Sequence, residues 1–109
     1  MKGVELENVE RAVMFLAESD APYAEAKTAV ERAEILRKRT RAREFLDATG
    51  TVAERESRAE VAPTVEAADG QYCDAVLEYE RLKARRQRAE LVVDLYRTLE
   101  SSRRVGAIK

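Results

Sequence analysis

The sequence predicts an all-α protein built from long, charged helices, and three observations predict it. Of its 109 residues, 38% are charged, with 20 basic and 21 acidic side chains, against about 25% in an average globular chain. Helix breakers are scarce, with 4 glycines and 2 prolines. Apolar residues recur three and four positions apart rather than every second position, which is the period of a helix face. The 45% hydrophobic content separates the chain from disordered sequences, which cannot cover the entropy of ordering.

The first helix is expected over about 7–18, with Val9, Val13, Leu16 and Ala17 on one face and Met14 beside them. Ser19 and Asp20 offer N-cap side chains, and Pro22 suits a first helical turn, so a second helix is expected over about 22–48. Its inward positions are Tyr23, Ala26, Val30, Ala33, Leu36 and Thr40, widened by Ile35, Phe45 and Leu46. Gly50 then marks a left-handed stop.

Residues 49–62 read as a connector, either a short helix or a mobile link. Thr51 and Glu54 have capping-box spacing, and Pro63 disfavours a helical Ala62. A long helix is expected over about 63–102. Val65, Ala68, Tyr72, Ala75, Tyr79, Leu82, Ala89, Val93 and Tyr96 keep a heptad-like alternation with Arg86 as the single charged interruption. Leu91, Val92, Leu95 and Leu99 thicken the second half.

The resulting expectation is one helical domain, 1–109: a long antiparallel, coiled-coil-like helical hairpin with a short N-terminal helix. A lone hairpin leaves an apolar stripe open. A homo-oligomer, dimer or higher, is therefore expected to complete a helical bundle. Its interface would be Tyr72, Val76, Tyr79, Leu82, Ala89, Val93 and Tyr96.

Composition also limits the chemistry. With no His and one cysteine, Cys73, there is neither an internal disulfide nor a zinc set nor a Ser–His–Asp arrangement. Cys73 is expected to be partly buried in an interface. No apolar run reaches the roughly 18 residues of a membrane span, and the N-terminal stretch lacks the basic and apolar regions of a secretory signal. A cytoplasmic protein with no membrane contact, no metal, no catalytic residue and no cofactor is expected. The pairs Glu31–Glu34 and Glu66–Asp69 each share a helix face and faintly resemble the E-x-x-E and E-x-x-D pattern of the all-α nucleoside triphosphate pyrophosphohydrolases. That resemblance implies a magnesium-dependent alternative.

Two basic clusters stand out, Arg37-Lys38-Arg39 with Arg41 and Arg43, and Arg81 with Lys83, Arg85, Arg86 and Arg88. Residues so close in a helix point around the cylinder, and acidic neighbours abound, so salt-bridged surface competes with phosphate contact. The four tyrosines, Tyr23, Tyr72, Tyr79 and Tyr96, could stack bases, but three of them fall on the heptad seam of the long helix, which favours rings in an interface with hydroxyls reaching water. The C-terminal Ser101 to Lys109 reads as a short basic tail, with Glu100 spaced to pair with Arg104.

The segment from Arg88 to Arg104 resembles the ends of small helical proteins encoded by tailed bacteriophages and prophages. The shared features are Val93, Asp94, Leu95, Tyr96 and Arg97, followed by a polar turn and the pair Arg103 and Arg104. The resemblance implies a non-enzymatic accessory role in phage DNA replication or recombination, in a bacterial host cytoplasm, by binding DNA or a protein partner. On that reading, the phosphate contacts would be Arg37, Arg39, Arg41, Arg85, Arg86, Arg88, Arg103 and Arg104. A scaffold that uses its apolar stripe to hold a protein partner is the other non-enzymatic reading.

Overall fold

A computed structural model describes residues 5–108, with the side chains of residues 107 and 108 excepted. Residues 1–4 of the N-terminal stretch and Lys109 of the basic tail lie outside the described residues. The chain is all-α: α1 (Leu6–Asp47), α2 (Val52–Val61) and α3 (Pro63–Ile108), of 42, 10 and 46 residues. Among the described residues, no helix is long and apolar enough to cross a membrane.

The break expected between 18 and 22 is absent, because α1 runs through Pro22. Pro22 cannot donate a hydrogen bond to the carbonyl four residues back, at Glu18, a substitution that ordinarily costs a helix about 3 kcal/mol. Ser19 and Asp20, read as capping residues, are instead engaged across the helix pair. The Arg86 guanidinium donates to the Leu16 carbonyl at 3.0 Å and to Ser19 Oγ at 2.6 Å. Its other nitrogen reaches Asp20 Oδ1 at 2.8 Å, and the cation lies 4.9 Å from the centre of the Tyr23 ring. Ser19 is buried, and its hydroxyl donates to the Leu16 carbonyl at 3.4 Å. The short stretch that sequence signals would open is thus held from outside.

α2 settles the connector as a helix. Thr51 is its N-cap, in extended conformation, and Thr51 Oγ1 accepts from the Glu54 backbone N–H at 3.2 Å. The turn before it needs Gly50, whose φ is +113°. A Cβ there would also collide with the Glu54 carboxylate. Ala62, extended at φ −63° and ψ 133°, serves two helices. Its N–H closes α2 on the Ala59 carbonyl at 3.3 Å, and its carbonyl accepts from Glu66 at 3.0 Å to open α3. Pro63 occupies the first position of α3, where a missing N–H costs little.

α3 continues past the expected end at 102 to Ile108. Arg103 and Arg104 therefore lie on a helix rather than a tail, and Glu100 pairs with Arg103 at 3.0 Å, not with Arg104.

The chain divides into two compact units, each built from parts of α1 and α3. Unit 1 combines the chain up to Tyr23 with the part from Arg81 onward. Its two helices are the two arms of the antiparallel hairpin, with Phe15 on Arg85 and with Leu16, Ser19 and Tyr23 gathered on Arg86. Val9, Ala12, Ser19 and Ala89 are buried in it. Val13 and Ala17, expected on the inner face of the first helix, and Met14 beside them are exposed instead, because the seam follows Val9, Ala12, Leu16 and Ser19.

Unit 2 spans Ala24–Glu80 and includes all of α2. Here too α1 and α3 are antiparallel, with Arg37 on Tyr72, Arg41 on Asp69 and Glu44 on Thr64. Ala26, Ala59, Ala62, Val65 and Ala68 are buried, and Val65 is the largest side chain fully enclosed. Leu36, expected inward, is 45% exposed. Arg37 takes the inward position and lays its guanidinium 4.2 Å from the centre of the Tyr72 ring. α2 is tied to the end of α1 by Arg55, which donates to the Phe45 carbonyl at 3.2 Å and covers the Phe45 ring.

Replacing Arg86 by Leu removes three charge-assisted hydrogen bonds, among them the one accepted by the buried Ser19 hydroxyl. Urea unfolding of Arg86→Leu should show a loss of about 2–3 kcal/mol. Asp20→Ala should cost under about 1 kcal/mol, since that carboxylate is exposed; the reverse order would refute the pinning role. Thr51→Ala should cost about 1 kcal/mol and Gly50→Ala at least as much, both read by thermal unfolding followed by circular dichroism.

Candidate nucleic-acid interface

Two rows of side chains meet in unit 1. On α1, Asn8, Arg11, Ala12 and Phe15 follow three-and-four spacing and share a face. On α3, Arg85, Arg88, Ala89 and Val92 do the same. The antiparallel pairing brings these rows together along an open groove of about 390 Å³. Its base is apolar, from Ala12, Ala89, Val92 and the half-buried Phe15, and its charged groups are all cations.

The Arg85 guanidinium lies 4.7 Å from the centre of the Phe15 ring. This places a planar cation against an aromatic face, an arrangement that contributes about 0.5–1 kcal/mol at exposed sites. It also holds Arg85 beside Arg88 rather than leaving it free to sweep the surface. Arg11 is ion-paired with Glu7 one turn earlier on α1. Both side chains of that pair are largely exposed, and such pairs exchange readily for a stronger anion. The groove thus presents three guanidinium groups, an aromatic ring and the Asn8 amide to one volume. A guanidinium can bind a phosphate through two parallel hydrogen bonds, and three of them converging on one volume suit a polyanion.

The eight arginines predicted for phosphate contact fall into distinct settings. Arg85 and Arg88 line the groove. Arg86, one residue on from Arg85, points into the seam, where its side chain is only 15% exposed and bound to Leu16, Ser19 and Asp20. Arg103 and Arg104 are exposed on the last turns of α3, in the same unit. Arg37, Arg39 and Arg41 belong to unit 2. Arg37 is half-buried over Tyr72, and Arg41 bridges Glu60 and Asp69, both at 3.5 Å. Arg39 is exposed.

Arg11 was absent from the sequence-based set. It stands alone among acidic residues near the N-terminus, so counting cations in a window passes over it. Only the antiparallel pairing of α1 with α3 joins it to Arg88.

The seven α3 residues predicted for self-association are covered to differing degrees in the single chain. Ala89 is buried, and Tyr72, Val76, Tyr79, Leu82, Val93 and Tyr96 are half-buried. All four tyrosines are half-buried as well, with Tyr23 and Tyr72 covered by arginines. Cys73, expected to be partly buried, is exposed.

The carboxylate pairs do not converge. Among the described residues, no group of three or more His, Cys, Asp or Glu side chains is placed to hold a metal ion. Glu34 pairs with Lys38 at 3.3 Å. Asp69 turns one oxygen toward Arg41, and its other oxygen is buried with no hydrogen-bond partner.

No family model, curated protein or solved structure matches this chain.

Proposed function

We propose that this chain is a non-enzymatic accessory protein that binds DNA through phosphate contacts, in the replication or recombination of a tailed bacteriophage or prophage. The observation that carries the reading is the convergence of Arg11, Arg85 and Arg88 on one open groove around Phe15. The phage setting, in a bacterial host cytoplasm, comes from the C-terminal resemblance, whose Arg103 and Arg104 extend the exposed cations along the same helix.

Recognition of this kind is electrostatic and indifferent to base sequence. Each phosphate neutralised releases condensed counterions, so affinity falls as salt rises. Three groove cations predict a slope of log affinity against log salt of about −3 on duplex DNA and about −2 on single strands. Phe15 adds a ring on which a splayed base can stack if Arg85 moves aside, which favours single strands.

Fluorescence anisotropy of labelled single- and double-stranded oligonucleotides, at two salt concentrations, tests the proposal. Binding in the range of about 1–100 μM is expected, as for non-specific binders. Arg11→Ala and Arg88→Ala should each flatten the salt slope by about one and weaken all sequences alike. Both side chains are exposed, so thermal stability should stay within about 0.5 kcal/mol of the parent. No binding at low salt, or slopes that these substitutions leave unchanged, would refute the groove as a DNA site.

A further inference from the structure

The α3 residues expected to join two copies are already buried or half-buried in the single chain, so a more exposed apolar surface is the better candidate for a second copy. Unit 2 carries one. Between α1 and α2 an open groove of about 690 Å³ has Ala42, Phe45 and Ala59 at its base. Leu46 stands at its edge and is 71% exposed. The α1 wall of the groove carries Lys38 and Arg41, and the α2 wall carries Glu56 and Glu60.

We propose that this groove is a two-fold interface with a second copy of this chain, each Leu46 entering the other's groove. The charge arrangement argues for a copy rather than another partner. A two-fold interface uses the same patch twice, so the patch must be complementary to itself. A patch of one sign would repel its copy. Here the two-fold turns the cationic α1 wall of one chain onto the anionic α2 wall of the other.

Within the chain Arg41 already reaches Glu60 and Asp69, so the pair formed anew is Lys38 with Glu56 of the second copy, made twice by symmetry. Lys38 gives up only an exposed contact with Glu34 on its own helix, which is worth little in water. Leu46 supplies the apolar term, because an aliphatic side chain so exposed gains about 1.5–3 kcal/mol when fully buried. Two such burials with rim charges fit a weak, reversible dimer. The inference is independent of DNA binding, since the groove lies in unit 2 and its test contains no nucleic acid.

The test is sedimentation velocity of the full chain from about 1 to about 200 μM, where micromolar dissociation constants are read. The parent should pass from monomer to dimer across this range. Leu46→Glu should remain monomeric, with an unchanged circular dichroism spectrum because Leu46 packs against little in its own chain. Lys38→Glu should weaken the dimer about tenfold, and adding Glu56→Lys should recover most of that loss by restoring opposite charges across the two-fold. A parent that stays monomeric throughout would overturn the proposal. So would a dimer indifferent to Leu46→Glu, which would place the contact, with a copy or with any other partner, elsewhere. A charge swap that fails to recover the dimer would overturn the two-fold pairing.

Discussion

Arg86 puts a cation into the seam of unit 1, and its two terminal nitrogens reach three acceptors on the facing helix. Two antiparallel helices with small residues at their contact can slide past one another by a turn at little cost, because one alanine fits much where another does. Directional bonds remove that freedom. The Leu16 carbonyl, the Ser19 hydroxyl and the Asp20 carboxylate form one receptor for one guanidinium, and no position a turn away on α1 repeats the set. A buried polar contact of this kind adds less stability than specificity, as a lone polar residue does in a coiled-coil seam.

The same need for register explains how unit 2 is built. Its buried residues are nearly all alanines, with Val65 the exception. Alanine lets helix backbones approach closely but removes little apolar area from water. Directional contacts therefore set the alignment here as well: Arg37 on Tyr72, Arg41 between Glu60 and Asp69, and the Thr64 hydroxyl donating to Glu44 at 2.7 Å. Several cations that sequence alone would assign to a ligand are thus part of the packing.

What was legible in the sequence was local. Thr51 caps α2 and Pro63 opens α3 because capping and proline sterics act within four residues, and the α3 seam from Val65 to Tyr96 follows its three-and-four spacing. What was not legible depended on the facing helix. Ser19, Asp20 and Pro22 spell a helix start in isolation, but α1 runs through them, and Ser19 and Asp20 bond instead to Arg86, more than 60 positions later. Leu36 looks more buriable than Arg37 until Tyr72 offers the cation a ring. Arg11 carries no local signal at all, because its neighbours in the groove come from α3. The candidate site was half legible for this reason: Arg85 and Arg88 were visible as a cluster, whereas their separation from Arg86 was not.

That separation joins the fold to the candidate site in unit 1. Arg85, Arg86 and Arg88 fall on one turn of α3, and helical geometry sends Arg86 one way and its neighbours another. With Arg86 fixed on Ser19 and Asp20, Arg85 meets Phe15 and Arg88 meets the row holding Arg11. A slip of one turn would set Arg85 against a different α1 residue and take Arg88 away from Arg11. The groove would then lose its concentration of charge while keeping every residue that forms it. On the proposed reading, any loss of DNA binding on changing Arg86 would therefore be a loss of register. The distinction is visible in stability, which an exposed groove arginine leaves in place and Arg86 does not.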